Sequence, residues 1–114
     1  MDWADLTEKH HGSAPQGMIR PHGHHKVFKK GIGKKMQRYA KKSQEILEKY
    51  GIDWKKGKDN LMWASNVKGV HTTDVAKQVY AILKRADATG GRSAVVRALN
   101  TEVEALFMSL SKFK

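Results

Sequence analysis

Residues 20–28 read RPHGHHKVF, and this segment limits the folds that the chain can adopt. Pro21 and Gly23 prevent a helix here, since proline lacks a backbone N–H and glycine weakens helices. Val27 and Phe28 favour a strand or the end of a strand. The segment is therefore predicted to be irregular to extended.

Outside this segment, apolar residues at helical spacing predict three helices and one further extended stretch. Gly51 supplies a stop for the first helix, and a threonine can cap the second. Gly90 and Gly91 separate the second helix from the third. The predicted helices are residues 34–50, a helix from Thr72 or Thr73 to about Ala86, and a last helix from Ser93 to about Phe113; the extended stretch is residues 61–63.

These elements predict one mostly helical α+β domain over residues 20–114. A chain of 114 residues is long enough for a single core and too short for two. Residues 1–19 show no sustained periodicity and contain several glycine, serine and proline residues. We expect them to form a flexible lead-in, the cut end of a longer polypeptide.

The net charge of +11 predicts a polyanionic partner. Residues 26–58 hold twelve Lys and Arg against three acidic residues, so most of the excess lies there. No predicted helix combines a basic face with Trp or Phe on an apolar face, as a membrane-surface helix would. Nucleic acid is therefore favoured over a membrane, although a solvated basic face is the plain alternative.

The chain has no cysteine, so a metal ion would need His, Asp, Glu or Asn ligands. It also has no apolar run near the roughly 18 residues that span a bilayer, and no stretch typical of a signal peptide.

The adjacent pair His24-His25 suits metal-assisted hydrolysis. Neighbouring side chains on an extended segment point to opposite sides, so one imidazole can bind a metal while the other acts as a base. An Asn can hold an imidazole in one tautomer, and Asn60 precedes the second extended stretch. His71, just before a helix, could complete a metal site. The alternative is that the histidines are solvated or bind metal adventitiously, which we expect of His10 and His11.

The order of these motifs resembles the GHH/AHH group of nuclease toxins in the HNH/endonuclease VII superfamily. These domains lie at the C-termini of bacterial polymorphic toxins. The similar stretches are residues 20–28, 46–53 and 60–66 together with His71, within a region of about residues 20–83.

The resemblance implies a ββα-metal (His-Me finger) core with an inserted basic helix and a long C-terminal helix. It implies that His24 and His71 bind one divalent metal ion (Mg, Mn, Zn or Ni), that His25 is the general base, and that Asn60 orients the His25 ring. Colicin-type nucleases carry a further His four residues after the last one, where this chain has Val75. The remaining coordination could come from Asp74, water or the substrate phosphate.

The function implied is a metal-dependent endonuclease toxin, with DNA favoured over RNA as its substrate. Such a protein would be secreted from a bacterium, delivered to the cytoplasm of a target cell, and bound as a monomer by an acidic immunity protein. The rival interpretations are a non-catalytic nucleic-acid-binding module, an RNase toxin of the same superfamily, and a small histidine-based metal-binding protein.

Several other residues are candidates for contact with nucleic acid. Trp54 and Trp63 could stack on bases or belong to the core, and His22 could support the metal site or lie in a loop. The basic residues expected to contact phosphates are Arg20, Lys26, Lys29, Lys30, Lys34, Lys35 and Lys41.

Overall fold

The two predicted extended segments pair with each other. In the computed structural model, which describes residues 2–114, strand β1 (Pro21–His25) runs antiparallel to strand β2 (Leu61–Ser65). His24 lies opposite Met62 in this register. The mostly helical α+β class is confirmed, with a small two-stranded sheet.

Within residues 2–114, four α-helices accompany the sheet. They are α1 (Trp3–His11), α2 (Lys34–Lys49), α3 (Thr73–Ala98) and α4 (Glu104–Leu110), with a 3₁₀ turn at Lys58–Asn60 and a π-helical turn at Leu99–Val103. The predicted helix 34–50 is α2, but the helix predicted to end near Ala86 continues to Ala98, and the predicted helix 93–113 is divided among the end of α3, the π-helical turn and α4. Thr72 caps α3 by accepting a hydrogen bond from the Val75 N–H at 3.2 Å. Gly91 interrupts α3 at φ 63°, a backbone conformation that glycine adopts readily.

The core lies between α2 and α3 and continues under the sheet. Leu47 of α2 and Leu83 of α3 are fully buried, and Phe107 of α4 is buried as well. Burying an aliphatic or aromatic side chain of this size stabilises the fold by about 1.5–3 kcal/mol. Helix α2 packs along α3, whereas α1 lies against both strands and α4 lies against β2. No helix within residues 2–114 is both long and apolar enough to cross a membrane.

The prediction for residues 1–19 needs correction, since Trp3–His11 form helix α1 and pack on the sheet. Asp2 caps the helix by accepting from the Asp5 N–H at 2.8 Å. Thr7, a residue of this helix, is completely buried. Gly23 allows the close approach of α1, because a Cβ there would clash with the Trp3 carbonyl oxygen.

The end of α1 is tied to the loop before β2. His10 Nε2 lies 3.1 Å from the Lys56 carbonyl oxygen, and His11 Nε2 lies 2.8 Å from that of Lys58. Trp63 donates its indole N–H to the Gly12 carbonyl at 2.8 Å. These two histidines and Trp63 therefore attach α1 to the rest of the molecule.

Candidate functional site

A pocket of about 280 Å³ opens where β1, the following loop and the residue before α3 meet. It is lined by Trp3, His22, Gly23, His24, His25, Phe28, Lys29, Lys30 and His71. The fold therefore brings His71 to the histidine-rich strand, although 46 positions of sequence separate it from His25.

His24 is the most deeply buried histidine of the pocket, with 3% of its surface exposed. Its ring packs edge-on against Phe107 at a centroid distance of 4.2 Å. Its buried Nε2 atom has no hydrogen-bond partner. A buried polar atom without a partner costs about 1–3 kcal/mol, so coordination of a metal ion by this nitrogen would offset that cost.

Burial lowers the pKa of His24 well below its usual value, and the nearby His22, His71 and His25 lower it further. A protonated ring would lose hydration and would be repelled by other imidazoles. The His24 ring is therefore neutral at pH 7, the form in which a histidine can bind a metal.

His22 and His71 lie beside His24. The ring of His22 is 5.2 Å from that of His24, and its Nδ1 lies 2.8 Å from the Ala64 carbonyl oxygen. Because a carbonyl only accepts, Nδ1 of His22 carries the proton and a neutral ring keeps Nε2 free. The ring of His71 rests on Phe28 at 4.1 Å, and partial burial together with His22 lowers its pKa.

His25 occupies different surroundings. Its Nε2 donates to the Lys55 carbonyl at 2.9 Å, which leaves Nδ1 as the acceptor of a neutral ring. The edge of Trp3 packs against the ring at 4.6 Å. Burial lowers the pKa of His25, and the hydrogen bond to Lys55 opposes that shift. A neutral imidazole with a free nitrogen can accept a proton at pH 7.

Asn60 was expected to orient the His25 ring, but its side-chain hydrogen bonds go to backbone groups instead. Its Oδ1 accepts from the Val27 N–H at 2.8 Å, and its Nδ2 donates to the carbonyls of Val27 and Trp54. The side chain thus fixes the backbone that leaves β1 and the loop before β2. The Lys55 carbonyl, not Asn60, holds the His25 ring.

The histidines of the pocket have the chemistry of metal ligands, but their arrangement does not form a complete metal site. Neutral imidazoles are common metal ligands, and His24 offers an unpaired nitrogen. Within residues 2–114, however, no group of three or more His, Asp or Glu side chains is arranged to hold a metal ion. Asp74 accepts a hydrogen bond from Gln78 at 2.9 Å and does not line the pocket. A metal would thus rely on His24 and His71, with other ligands drawn from outside this set.

The predicted phosphate-binding residues divide into exposed and buried groups. Lys29 and Lys30 are exposed at the pocket rim. Those exposed elsewhere are Arg20, Lys34, Lys35 and Lys41. Lys26 is wrongly predicted, because it is 1% exposed and donates to Asn100 Oδ1 at 2.9 Å. Glu104 lies 3.7 Å away and partly offsets the lowering of the Lys26 pKa by burial.

Sequence reasoning missed Trp3 and the Lys55 carbonyl as parts of the site. Trp3 contacts His25 only because α1 docks on β1, and Lys29 Nζ lies 5.0 Å above the Trp3 ring. No local pattern signals a backbone carbonyl as a partner. Trp54 is partly buried against the core, as one of its two interpretations predicted.

No protein-family model matches this chain, and no curated protein or solved structure matches it either. The pocket and the order of the motifs are therefore the features from which a function can be inferred.

Proposed function

We propose that this protein is a divalent-metal-dependent endonuclease that hydrolyses phosphodiester bonds of nucleic acid, with DNA favoured. The observation that carries the proposal is the buried, unpartnered Nε2 of His24, in a pocket that also holds His71 and His25. Lys29 and Lys30 at its rim suit a phosphate-bearing substrate.

The residues have separate roles in this proposal. His24 and His71 would hold the metal, with His22 beside them. A bound divalent ion supplies neutralisation of charge on the phosphate and the leaving oxygen. His25 accepts the proton of the attacking water at Nδ1, while its Nε2–H remains bonded to the Lys55 carbonyl. Lys29 and Lys30 attract the phosphate.

The finer fold assignment, a ββα-metal core, belongs to this proposal. The antiparallel pair β1–β2 and the position of His71 just before α3 support it. In a ββα core the helix after the strands would pack on them, whereas here α3 packs mainly on α2 while α1 and α4 cover the strands. The contact between His71 and Phe28 connects the segment just before α3 to the loop that follows β1.

A bacterium that produces a nuclease toxin must be protected from it. The proposal therefore includes an acidic immunity protein that binds this domain. The charge of +11 would accelerate association with an acidic partner. Secretion from a bacterium and action in the cytoplasm of the target cell follow from the motif resemblance alone.

A plasmid-nicking assay with Mg, Mn, Ni or Zn, each with an EDTA control, tests the proposal. We expect metal-dependent cutting that His25→Ala slows by about a hundredfold or more. Asn66→Ala, which removes an exposed side chain outside the pocket, should leave the cutting unchanged. Cutting of RNA but not DNA would identify an RNase. Nucleic-acid binding without cutting would indicate a binding module, and metal binding alone a metal-binding protein.

A further inference from the structure

Ile32 is the most exposed large apolar residue that the structure describes. It has 83% of its surface exposed, and the next, Phe113, has 43%. Single exposed apolar residues are ordinary on protein surfaces. Ile32 differs in that it lies at the tip of a loop with two lysines on each side.

We define the Ile32 loop as residues 29–35, which read KKGIGKK and end in the first two residues of α2. Lys29, Lys30, Lys34 and Lys35 are exposed, and none of them has an acidic partner among the ion pairs of the described residues. The loop therefore presents an apolar tip within a local positive charge.

The base of the loop is pinned to α2. Gln44 donates to the carbonyls of Phe28 and Lys29 at 2.7 and 3.2 Å, and Gln37 donates to that of Gly31 at 3.0 Å. The Ile32 N–H lies 3.3 Å from Met36 Sδ. These bonds hold the tip outward, so little conformational freedom would be lost when a partner covers it.

Gly31 strengthens this attachment. A Cβ at this position would lie 2.8 Å from Met36 Cγ and 3.1 Å from the Gln37 backbone nitrogen. The glycine lets the loop pass directly against the first turn of α2. The protrusion of Ile32 is thus built into the backbone.

We propose that Ile32 is a wedge that inserts between base pairs in the minor groove of duplex DNA. Apolar side chains of this kind partly unstack a base step and kink the duplex, while neighbouring cations hold the backbone. The four flanking lysines suit the phosphates on both sides of the groove. Because Lys29 and Lys30 also line the pocket, a duplex held by the loop has its backbone beside the histidines.

The inference rests on the proposed nucleic-acid substrate and adds a means of recognition. Pyrimidine–purine steps such as TA and CA unstack most easily. Ile32 should therefore insert preferentially at these steps. If the pocket is catalytic, the protein should cut DNA close to them.

The test uses short DNA duplexes with 2-aminopurine beside a TA step, in EDTA so that no cutting occurs. The variants are Ile32→Ser, the conservative Ile32→Leu, and Phe113→Ser as a matched loss of an exposed apolar side chain elsewhere. We expect Ile32→Ser to weaken binding by about tenfold, the scale of burying one aliphatic side chain. It should also abolish the fluorescence increase on unstacking, with an unchanged salt slope and melting temperature. Ile32→Leu and Phe113→Ser should behave as the parent protein.

Equal binding and equal fluorescence for Ile32→Ser would overturn the wedge and leave the proposed nuclease intact. Vesicles of phosphatidylglycerol and phosphatidylcholine form a second arm. Binding to them that needs Ile32, with duplex binding that does not, would reassign the loop to membranes. Failure of the parent protein to bind any duplex or single strand would remove the wedge and the nucleic-acid substrate together.

Discussion

The alternation of side chains along β1 sends His24 and His25 to opposite sides of the strand, where they meet different surroundings. His24 packs on Phe107 with an unpaired nitrogen, whereas His25 is hydrogen-bonded to the Lys55 carbonyl and touches Trp3. At the scale of single residues, this difference predicts that the two histidines fail in different ways when they are replaced.

His25→Ala should keep metal affinity, since the ring does not share the surroundings of His24, and should lower the cutting rate by about a hundredfold or more. His24→Ala should lose metal affinity and activity together, and His71→Ala should resemble it. Calorimetric metal titration beside the nicking assay distinguishes these outcomes. Loss of metal in His25→Ala with retention in His24→Ala would invert the assignment.

Asn60→Ala should lower the free energy of unfolding by about 2–3 kcal/mol, because it leaves buried backbone groups of Val27 and Trp54 unpaired. Urea denaturation measures the loss. The matched control is Asn66→Ala, which removes an exposed asparagine and should be nearly neutral. An equally small effect at Asn60 would show that these three hydrogen bonds contribute little.

The lowered pKa of His24 predicts that the metal-free protein loses stability in acid. Between the folded pKa and the usual value of 6.5, the unfolded chain binds more protons, so stability is full above that range and falls as pH decreases. One such group contributes at most about 1.4 kcal/mol per pH unit. Burial shifts His25 and His71 in the same direction.

Replacement of His24 by Phe keeps an aromatic ring against Phe107 and removes the titration. We expect His24→Phe to lose less stability than the parent protein between about pH 7.5 and about pH 5, as measured by urea denaturation in EDTA. Identical pH profiles would mean that His24 does not resist protonation in the folded state.

At the scale of elements, α1 is the part of the site that depends most on tertiary contact. The helix has nine residues, and helices this short are marginal in isolation. Its position relies on Gly23 beneath the Trp3 carbonyl and on the hydrogen bonds at its end. Helix α1 therefore carries Trp3 to His25 only when the sheet is formed.

Gly23→Ala should force α1 away from β1 and lower the free energy of unfolding by about 1–3 kcal/mol, the usual cost of overpacking. Hydrogen exchange should show faster exchange at the Gly12 N–H, which bonds to the Glu8 carbonyl at 2.8 Å, while amides of α3 stay protected. Unchanged exchange at both places would show that the strand and helix can separate without cost.

Over the whole molecule, the positive charge is concentrated in the segment that follows β1. Residues 26–58 carry a net charge of +9, and the exposed lysines of α2 and its preceding loop account for much of it. Lys26 is an internal exception, since it is buried against Asn100. This charge is the feature that would govern association with nucleic acid and with an acidic partner protein.

The salt dependence of DNA binding is best measured in the His25→Ala background. Replacing Lys34, Lys35 and Lys41 together by Ala in that protein should make the dependence less steep. The log–log slope should fall by about 0.9 for each phosphate that the variant no longer neutralises. The matched control removes the same charge from three exposed lysines outside the segment, Lys68, Lys77 and Lys84. Equal changes in both triple variants would mean that binding follows net charge alone.

Local sequence was sufficient for elements whose signals are short-range. Apolar spacing predicted α2 and helical structure on both sides of Gly91, although it did not predict the π-helical turn before α4, and Gly51 marked the end of α2. Pro21 and Gly23 excluded a helix at β1, and the cap of α3 is one of the two threonines that the sequence offered. These features depend on backbone sterics and hydrogen bonds within a few residues.

Three features could not be predicted from local sequence: helix α1, the burial of Lys26 and the hydrogen-bond partners of Asn60. Each depends on groups distant in sequence: Gly23 with Trp3, Lys26 with Asn100, and Asn60 with Val27. The residues next to a basic or polar side chain in the sequence do not indicate whether a distant helix will bury it.

The sequence alone was therefore enough for the mostly helical α+β class, for helix α2 and for the concentration of histidine and lysine around β1. The tertiary structure was needed to show that His71 reaches the strand, that His24 keeps an unpaired nitrogen, and that Lys55 instead of Asn60 holds His25. The two sets of features differ in the distance over which their causes act. Helix periodicity and capping act within a turn or two of chain, whereas burial and hydrogen-bond pairing depend on which distant segments exclude water from one another.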